Sequence, residues 1–173
     1  MVTGKKKIVF VLGGARSGKS EFALKTASCV PGRKAFIATA QALDEEMELR
    51  IAQHKAARSD EWQAFEEPVD IHDLIARIHG SYDVLVIDCL TLWVTNLMLG
   101  NCNIENKSRS FIDVLSGCLS SVFVVSNEVG LGIVPDNKLA REFRDIAGTL
   151  NRKVAEVADE VYFIAVGLPL RMK

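Results

Sequence analysis

The sequence lacks most of the features that mark a specialised class of protein. Its 173 residues carry 21 Lys and Arg against 22 Asp and Glu, so there is no excess of positive charge that would bind nucleic acid. No apolar run is long enough to cross a membrane, and the N-terminal segment has no apolar signal-peptide core. These absences favour a cytoplasmic protein that binds neither nucleic acid nor membranes.

The four cysteines and three histidines also lack the spacing of a metal site. The cysteines form no Cys-x-x-Cys pair and the histidines form no His-x-x-x-His pair, which argues against a structural zinc site. In a reducing compartment the cysteines are expected to be ordinary thiols. Hydrophobic residues make up 49% and charged residues 25% of the chain, as in ordinary globular proteins. The length fits a single domain over residues 1–173.

What the sequence does contain is a complete phosphate-loop motif. The apolar run at residues 8–12 is followed by the octapeptide GGARSGKS and then by a helix-forming stretch at residues 21–27, the context that G-x-x-x-x-G-K-[ST] requires. The glycines let backbone N–H groups point at phosphate oxygens, with the positive end of the helix dipole beneath them. Lys19 would reach the β- and γ-phosphates, and the Ser20 hydroxyl would bind Mg²⁺. The motif therefore predicts a nucleoside triphosphate site formed by Gly13, Gly14, Ala15, Arg16, Ser17, Gly18, Lys19 and Ser20.

Apolar runs alternate with segments of helical periodicity along the chain. Nearly continuous Val, Ile, Phe and Leu is typical of strands buried on both faces of a parallel sheet, and it predicts strands at residues 7–12, 35–39, 84–88, 122–126 and 161–166. Helical spacing predicts helices at residues 45–57, 69–79 and 135–158, the last with Pro135 in its first turn, and a further helix from Leu90. The polar stretch 100–110 is predicted to be a mobile surface loop. The alternation indicates a three-layer α/β sandwich with a mostly parallel central sheet.

Polar residues follow two of the predicted strands. Asp88 ends the strand at 84–88, where an acid in a phosphate-loop protein holds Mg²⁺ opposite the loop hydroxyl; the alternative is a plain helix N-cap. Asn127 and Glu128 follow the strand at 122–126. Because ligands of open parallel sheets bind beyond the carboxyl ends of the strands, these two side chains are candidates for contact with nucleotide, metal or acceptor. Turn formation before Gly130 is the alternative for both.

His54 is the histidine with a suggestive setting. It lies in the predicted helix 45–57, and Arg50 and Arg58 lie four residues to either side of it, so the three share one face. A cationic stripe beside a phosphate loop could bind a polyphosphate. The alternative is a solvated or hydrogen-bonded histidine with no chemical role.

Several longer segments resemble one family, the bifunctional adenosylcobinamide kinase / adenosylcobinamide-phosphate guanylyltransferases of cobalamin assembly. The resemblance spans nearly the whole chain, and its most specific parts are the segment that contains His54 and the segment that begins at Ser126. The matching segments are GGARSGKS at 13–20, IATAQALDEEM at 37–47, RIAQHK at 50–55, DCLTLWVTNLM at 88–98 and SNEVGLGIVPDNKLAREFRDIAGTLN at 126–151.

The resemblance implies a RecA-like phosphate-loop NTPase fold and two reactions on one catalytic domain. The first transfers the γ-phosphoryl group of ATP or GTP to the hydroxyl of the aminopropanol arm of adenosylcobinamide. The second transfers GMP from GTP to adenosylcobinamide phosphate through a histidine–GMP intermediate, and the family's histidine falls on His54. The Mg²⁺ predicted from the phosphate loop would lie between Ser20 and Asp88. The resemblance also implies a symmetric homo-oligomer, a trimer in particular.

Narrower and different functions remain open from the sequence. The chain could retain only the guanylyltransferase reaction, or it could be a phosphate-loop kinase for another small molecule, which would not need His54. A nucleotide-gated regulatory or assembly protein is a further alternative from another class, and it would need no corrinoid substrate.

Overall fold

The computed structural model describes residues 6–42, 45, 48, 49, 52 and 59–173, and strands and helices alternate along most of this length. The elements, in chain order, are β1 (Ile8–Gly13), α1 (Lys19–Ser28), β2 (Lys34–Ala38), β3 (Trp62–Glu66), α2 (Ile71–Ile78), β4 (Val84–Asp88), α3 (Leu90–Leu99), α4 (Ile104–Ser116), β5 (Ser121–Asn127), α5 (Lys138–Val157), β6 (Glu160–Ala165) and β7 (Leu168–Arg171).

All seven of these strands belong to one sheet, in the order β3-β2-β4-β5-β1-β6-β7. Strands β1 to β6 pair in parallel, and β7 returns antiparallel along the edge of β6. Gly13 of β1 is level with Asn127 of β5, and Asp88 of β4 is level with Val125 of β5. The parallel register therefore brings the ends of β1, β4 and β5 to the same edge of the sheet, where ligands of such folds bind.

Helices cover both faces of this sheet. On one face α1 packs through Ala23 and Ala27 in a cluster that includes Val11 and Phe36. On the other face the larger core contains residues of α2, α3, α4 and α5, with the fully buried Trp93 among them. The predicted three-layer α/β sandwich with a mostly parallel sheet is thus confirmed.

The five apolar runs all form strands, within one or two residues of the predicted ends. The prediction is incomplete at both edges of the sheet, because β3 and β7 were not expected. β3 exposes three of its five residues, and all four residues of β7, one of them Pro169, are exposed. An edge strand needs no continuous apolar run, so neither segment carried the pattern on which the prediction relied.

Two predictions on the helical side are wrong. The stretch 100–110 is not a loop throughout, because α4 begins at Ile104 with the Asn103 side chain accepting from the Asn106 N–H as its cap. Its buried face consists of Ser108, Phe111 and Leu115, so most of the apolar signal comes after residue 110. The last long helix begins at Lys138 and not at Pro135, because Asn137 is its N-cap.

Of the predicted helix at 45–57, residues 45, 48, 49 and 52 are helical, and the others lie outside the described residues. Among the helices that the structure describes, none is long and apolar enough to cross a membrane.

Candidate nucleotide-binding site

The phosphate loop joins the end of β1 to the start of α1, and glycine is required at both ends of it. Gly13 has a φ of 153°, and a Cβ there would overlap the carbonyl oxygen of Ile164 in the neighbouring strand β6. Gly18 has a φ of 95° and is the N-cap residue of α1. Since side chains rarely adopt such backbone angles, the glycines allow the chain to turn directly into the N-terminus of α1. Backbone N–H groups at that terminus are suited to bind an anion.

Lys19 is held inside the loop. Only 7% of its surface is exposed, and its ammonium donates to the carbonyl oxygen of Gly14 at 2.5 Å. A charged group is costly to bury, so this lysine is stabilised only where oxygens surround it. Phosphate oxygens bound in the loop would supply the strongest such partners.

The remaining residues of the phosphate loop differ in their exposure and in their contacts. Gly14, Ala15 and Arg16 are exposed, with Arg16 in the left-handed region at a φ of 55°. Ser17 Oγ is buried and has no hydrogen-bond partner among the described residues, whereas the Ser17 carbonyl accepts from the Gly167 N–H at 3.0 Å. Ser20, half buried in the first turn of α1, is the predicted Mg²⁺ ligand.

Asp88 ends β4 at the same edge of the sheet. Its Oδ2 atom is buried without a hydrogen-bond partner in the described part of the chain. The N-cap of α3 is Cys89, so the alternative interpretation of Asp88 as a helix cap is wrong. A carboxylate oxygen that lacks a partner and lies beside a phosphate loop is the type of ligand that Mg²⁺ prefers.

A set of buried hydrogen bonds fixes the chain around Asp88. The Thr39 hydroxyl accepts from the Cys89 N–H and donates to the Cys89 carbonyl, both at 2.8 Å. The Thr39 N–H donates to the Asp88 carbonyl at 3.2 Å, and the Asn96 amide donates to the Thr39 carbonyl at 2.8 Å. These bonds tie the end of β2 and the helix α3 to the residue that carries the carboxylate. These hydrogen bonds were not predicted from the sequence. The one local indication of them is Thr39, a polar residue directly after the apolar strand β2.

Asn127 and Glu128 lie against the phosphate loop through their backbones. The Glu128 N–H donates to the Gly13 carbonyl at 3.0 Å, and the Asn127 N–H donates to the Thr91 hydroxyl at 2.7 Å. The Glu128 side chain accepts from the Gly130 N–H at 2.5 Å, which is the turn geometry that was the alternative to ligand contact. The structure thus brings both residues to the loop, with one carboxylate oxygen of Glu128 engaged in a turn.

Two of the predicted site residues, His54 and Arg50, lie outside the described residues. Arg58, the third member of the cationic stripe, lies outside them as well. The geometry of the site is therefore that of its phosphate-binding half, formed by the loop, Asp88 and the segment after β5.

Comparison with known proteins identifies close relatives of this chain. Residues 9–172 match a family described as cobinamide kinase / cobinamide phosphate guanyltransferase. The bifunctional adenosylcobalamin biosynthesis protein CobP of Pseudomonas aeruginosa is 40% identical over 167 residues, covering 94% of this chain and 95% of its own. The bifunctional adenosylcobalamin biosynthesis protein CobU of Salmonella typhimurium is 38% identical, covering 96% and 99%. Its counterpart from Escherichia coli K12 is 35% identical over the same shares.

Solved structures support the fold class. An ATPase from the type III secretion system of pathogenic bacteria superposes with a TM-score of 0.56 at 10% identity, over 95% of this chain and 56% of its own. The protein PH0250 of Pyrococcus horikoshii superposes with a TM-score of 0.53 at 9% identity, over 96% and 86%. The architecture is that of RecA-like phosphate-loop ATPases.

Proposed function

The chain belongs to the cobinamide kinase / cobinamide phosphate guanyltransferase family, and from that premise we propose which of its residues carry the two reactions. It is an enzyme of cobalamin biosynthesis that phosphorylates adenosylcobinamide and then transfers GMP from GTP to give adenosylcobinamide-GDP. The observation that supports the assignment of roles is the shared edge of the sheet. The phosphate loop, the buried Lys19 and the Asp88 oxygen that has no hydrogen-bond partner among the described residues all lie at this edge.

In the kinase step, the loop holds ATP or GTP with its γ-phosphate toward the solvent edge. The hydroxyl oxygen of the aminopropanol arm attacks the γ-phosphorus, and its proton passes to an oxygen of the transferred phosphate. The bond between the γ-phosphorus and the β–γ bridging oxygen breaks, and the nucleoside diphosphate leaves with the electron pair. Lys19 and the N–H groups at the start of α1 stabilise the charge on the transferred group, which is most of what such a step needs. Ser20 and Asp88 would hold Mg²⁺, which neutralises phosphate charge when bound.

In the guanylyl step, we assign the nucleophile to His54. A ring nitrogen attacks the α-phosphorus of GTP and pyrophosphate leaves, which the phosphate loop retains through Lys19. A phosphate oxygen of adenosylcobinamide phosphate then attacks the same phosphorus and breaks the P–N bond, so the imidazole is regenerated. We assign Arg50, four residues before His54 in the sequence, to binding of the phosphates during both transfers.

Labelling with GTP that carries its label on the α-phosphate tests this assignment. We expect an adduct that is labile in acid and stable in alkali, as a phosphoramidate is, and we expect His54→Asn to abolish it while the kinase reaction continues. His79→Asn is the matched control, because His79 lies at the C-terminus of α2 and accepts from the Leu119 N–H far from the loop. An adduct of undiminished yield in His54→Asn would refute the histidine–GMP route.

We also propose that the chain assembles into a homo-oligomer, a trimer in particular. The support is the edge strand β7, whose apolar residues Leu168 and Leu170 are exposed together with the flanking Val166 and Met172. Exposed apolar side chains on an unpaired strand edge are typical of surfaces that another chain covers.

A further inference from the structure

A short apolar strap, residues 131–135, follows the segment after β5 that bonds to the phosphate loop. Its sequence is Leu-Gly-Ile-Val-Pro, and it carries no charged side chain. Leu131 is 82% exposed and Ile133 is 98% exposed, while Val134 is also largely in solvent. Apolar residues clustered in one exposed loop are unusual in a soluble domain and mark a binding surface.

Hydrogen bonds anchor the strap on both sides. On the side of β5, the Glu128 N–H bonds to Gly13 of the phosphate loop, and the Asn151 amide donates to the Asn127 carbonyl at 3.1 Å. On the side of α5, Arg141 donates to the carbonyl oxygens of Pro135 and Asp136 at 2.8 and 2.7 Å. The strap is thus held in place by the same segment that contacts the phosphate loop.

The backbone of the strap is not used within the fold. In the described part of the chain, the N–H and C=O groups of residues 131–134 make no hydrogen bond to protein. The strap therefore offers two kinds of contact side by side, apolar side chains and free backbone donors and acceptors.

We propose that the strap is the docking surface for the corrin macrocycle of the second substrate, an inference that rests on the proposed function. The apolar face of the macrocycle packs on Leu131 and Ile133, and the neutral amide side chains on its rim bond to the free backbone groups. The reaction requires this proximity: the reacting hydroxyl sits on a short arm of the macrocycle and must reach the γ-phosphate in the loop. The strap begins three residues after Glu128, which bonds directly to that loop.

The absence of charge on the strap favours this occupant over the nucleotide. GTP and ATP carry several negative charges, which residues 131–135 cannot neutralise, whereas the corrinoid presents an apolar ring and uncharged amides. A second copy of the chain is the other candidate occupant, and the experiment separates the two.

Steady-state kinetics of the Ile133→Ser variant test the proposal. We expect its KM for adenosylcobinamide to rise by about tenfold or more, the effect of losing one buried aliphatic side chain from the complex. The KM for GTP and the yield of the GMP adduct should stay at wild-type values. Leu119→Ser is the control, because Leu119 is also exposed but lies just before β5, at the opposite end of the sheet.

A truncated acceptor gives a second measurement. An N-acylated aminopropanol carries the reacting hydroxyl without the macrocycle, so the wild type and Ile133→Ser should phosphorylate it at the same slow rate.

If Ile133→Ser and the double variant Leu131→Ser/Ile133→Ser keep the wild-type KM for the corrinoid, the proposal is overturned. A loss of mass by light scattering in these variants also overturns it, because the strap would then contact a second copy. Failure of the wild type to turn over adenosylcobinamide would instead refute the proposed function, and the inference with it.

Discussion

Among single residues, the half-buried Asp88 has one carboxylate oxygen, Oδ2, that is buried without a hydrogen-bond partner in the described chain. Such an atom is costly in a protein interior, because it has lost hydration without gaining a hydrogen bond. The Thr39 and Asn96 bonds hold the backbone next to Asp88, so they fix the position from which its side chain extends. A site that keeps an unsatisfied carboxylate in place is set up for a cation.

The variant Asp88→Asn tests this interpretation. Asparagine keeps the shape and loses the charge, so we expect the kcat/KM of both reactions to fall by about a hundredfold or more, and the Mg²⁺ concentration for half-maximal activity to rise. The free energy of unfolding should not decrease, because an amide is less costly to bury than an unpaired carboxylate. Asp113→Asn, at an exposed position of α4, is the control for removal of one negative charge. Unchanged Mg²⁺ dependence in Asp88→Asn would remove the metal role.

Site residues could be predicted where their partners are close in sequence, and could not where their partners are far apart in sequence. The phosphate loop could be found because its motif states the strand, the glycines, the lysine and the hydroxyl within a dozen consecutive residues. Thr39 and Asn96 could not be found, because they are 57 residues apart in sequence and meet only when β2 and α3 come together. The role of His54 rests on the family resemblance and that of Arg50 on its spacing from His54, and both stay predictions.

At the scale of elements, an ion pair joins the first strand to the sixth. The Lys7 ammonium, just before β1, donates to Glu160 at 2.6 Å, and the Tyr162 hydroxyl donates to the other carboxylate oxygen at 3.0 Å. Lys7 is the main cause that holds the pKa of Glu160 below its usual range, with burial acting in the opposite direction. The ion pair thus links β6 to the N-terminal end of β1, the strand whose C-terminal end leads into the phosphate loop.

We expect Glu160→Gln to be less stable than the wild type at neutral pH and equally stable in acid. A carboxylate with a lowered pKa in the folded state stabilises the protein above its unfolded pKa of about 4.3, and this contribution is lost as the pH falls through the folded value. The effect should be modest and should shrink in high salt, because Lys7 is half exposed. Urea unfolding at several pH values measures the difference in the free energy of unfolding between the variant and the wild type.

Glu105→Gln, which breaks the exposed pair with Arg109, is the control, and its difference from the wild type should change little with pH. If Glu160→Gln is less stable than the wild type by the same free energy at every pH, the link between the lowered pKa and stability is contradicted.

Elements in the middle of the sheet were predictable, and those at its margins were not. The strands β1, β2, β4 and β5 are largely buried on both faces, and β6 is partly buried; all five read as apolar runs. β3 and β7 lie at the two edges, where half or more of each strand faces solvent, so their sequences resemble loops. The first turn of α4 is also mostly polar, so a prediction that relied on apolar residues missed it. Asn103, a typical N-cap residue, was the signal that could have located the start of this helix.

For the whole molecule, the order of strands decides which side chains can act together. Placing β1 between β5 and β6 surrounds the phosphate loop with the segment after β5 on one side and the β6–β7 turn on the other, where Gly167 bonds to Ser17. The alternation of elements predicted a parallel sheet but gave no strand order, because order depends on contacts between residues far apart in sequence. The link between the β6–β7 turn and the loop also joins the site to the exposed edge of the sheet.

The edge strand β7 should therefore control both assembly and activity. We expect wild-type protein to have the mass of a homo-oligomer by light scattering, and the double variant Leu168→Lys/Leu170→Lys to be a monomer, because buried lysines at a subunit contact are costly and like charges repel. Both side chains are exposed, so the variant should fold, which circular dichroism can verify. Leu99→Lys, at an exposed position at the end of α3, is the matched control and should keep the wild-type mass.

Since β7 follows directly on the turn that bonds to the phosphate loop, we expect the monomeric variant to bind GTP more weakly as well. A wild type that is monomeric, or a double variant of unchanged mass, would show that β7 is not a subunit contact.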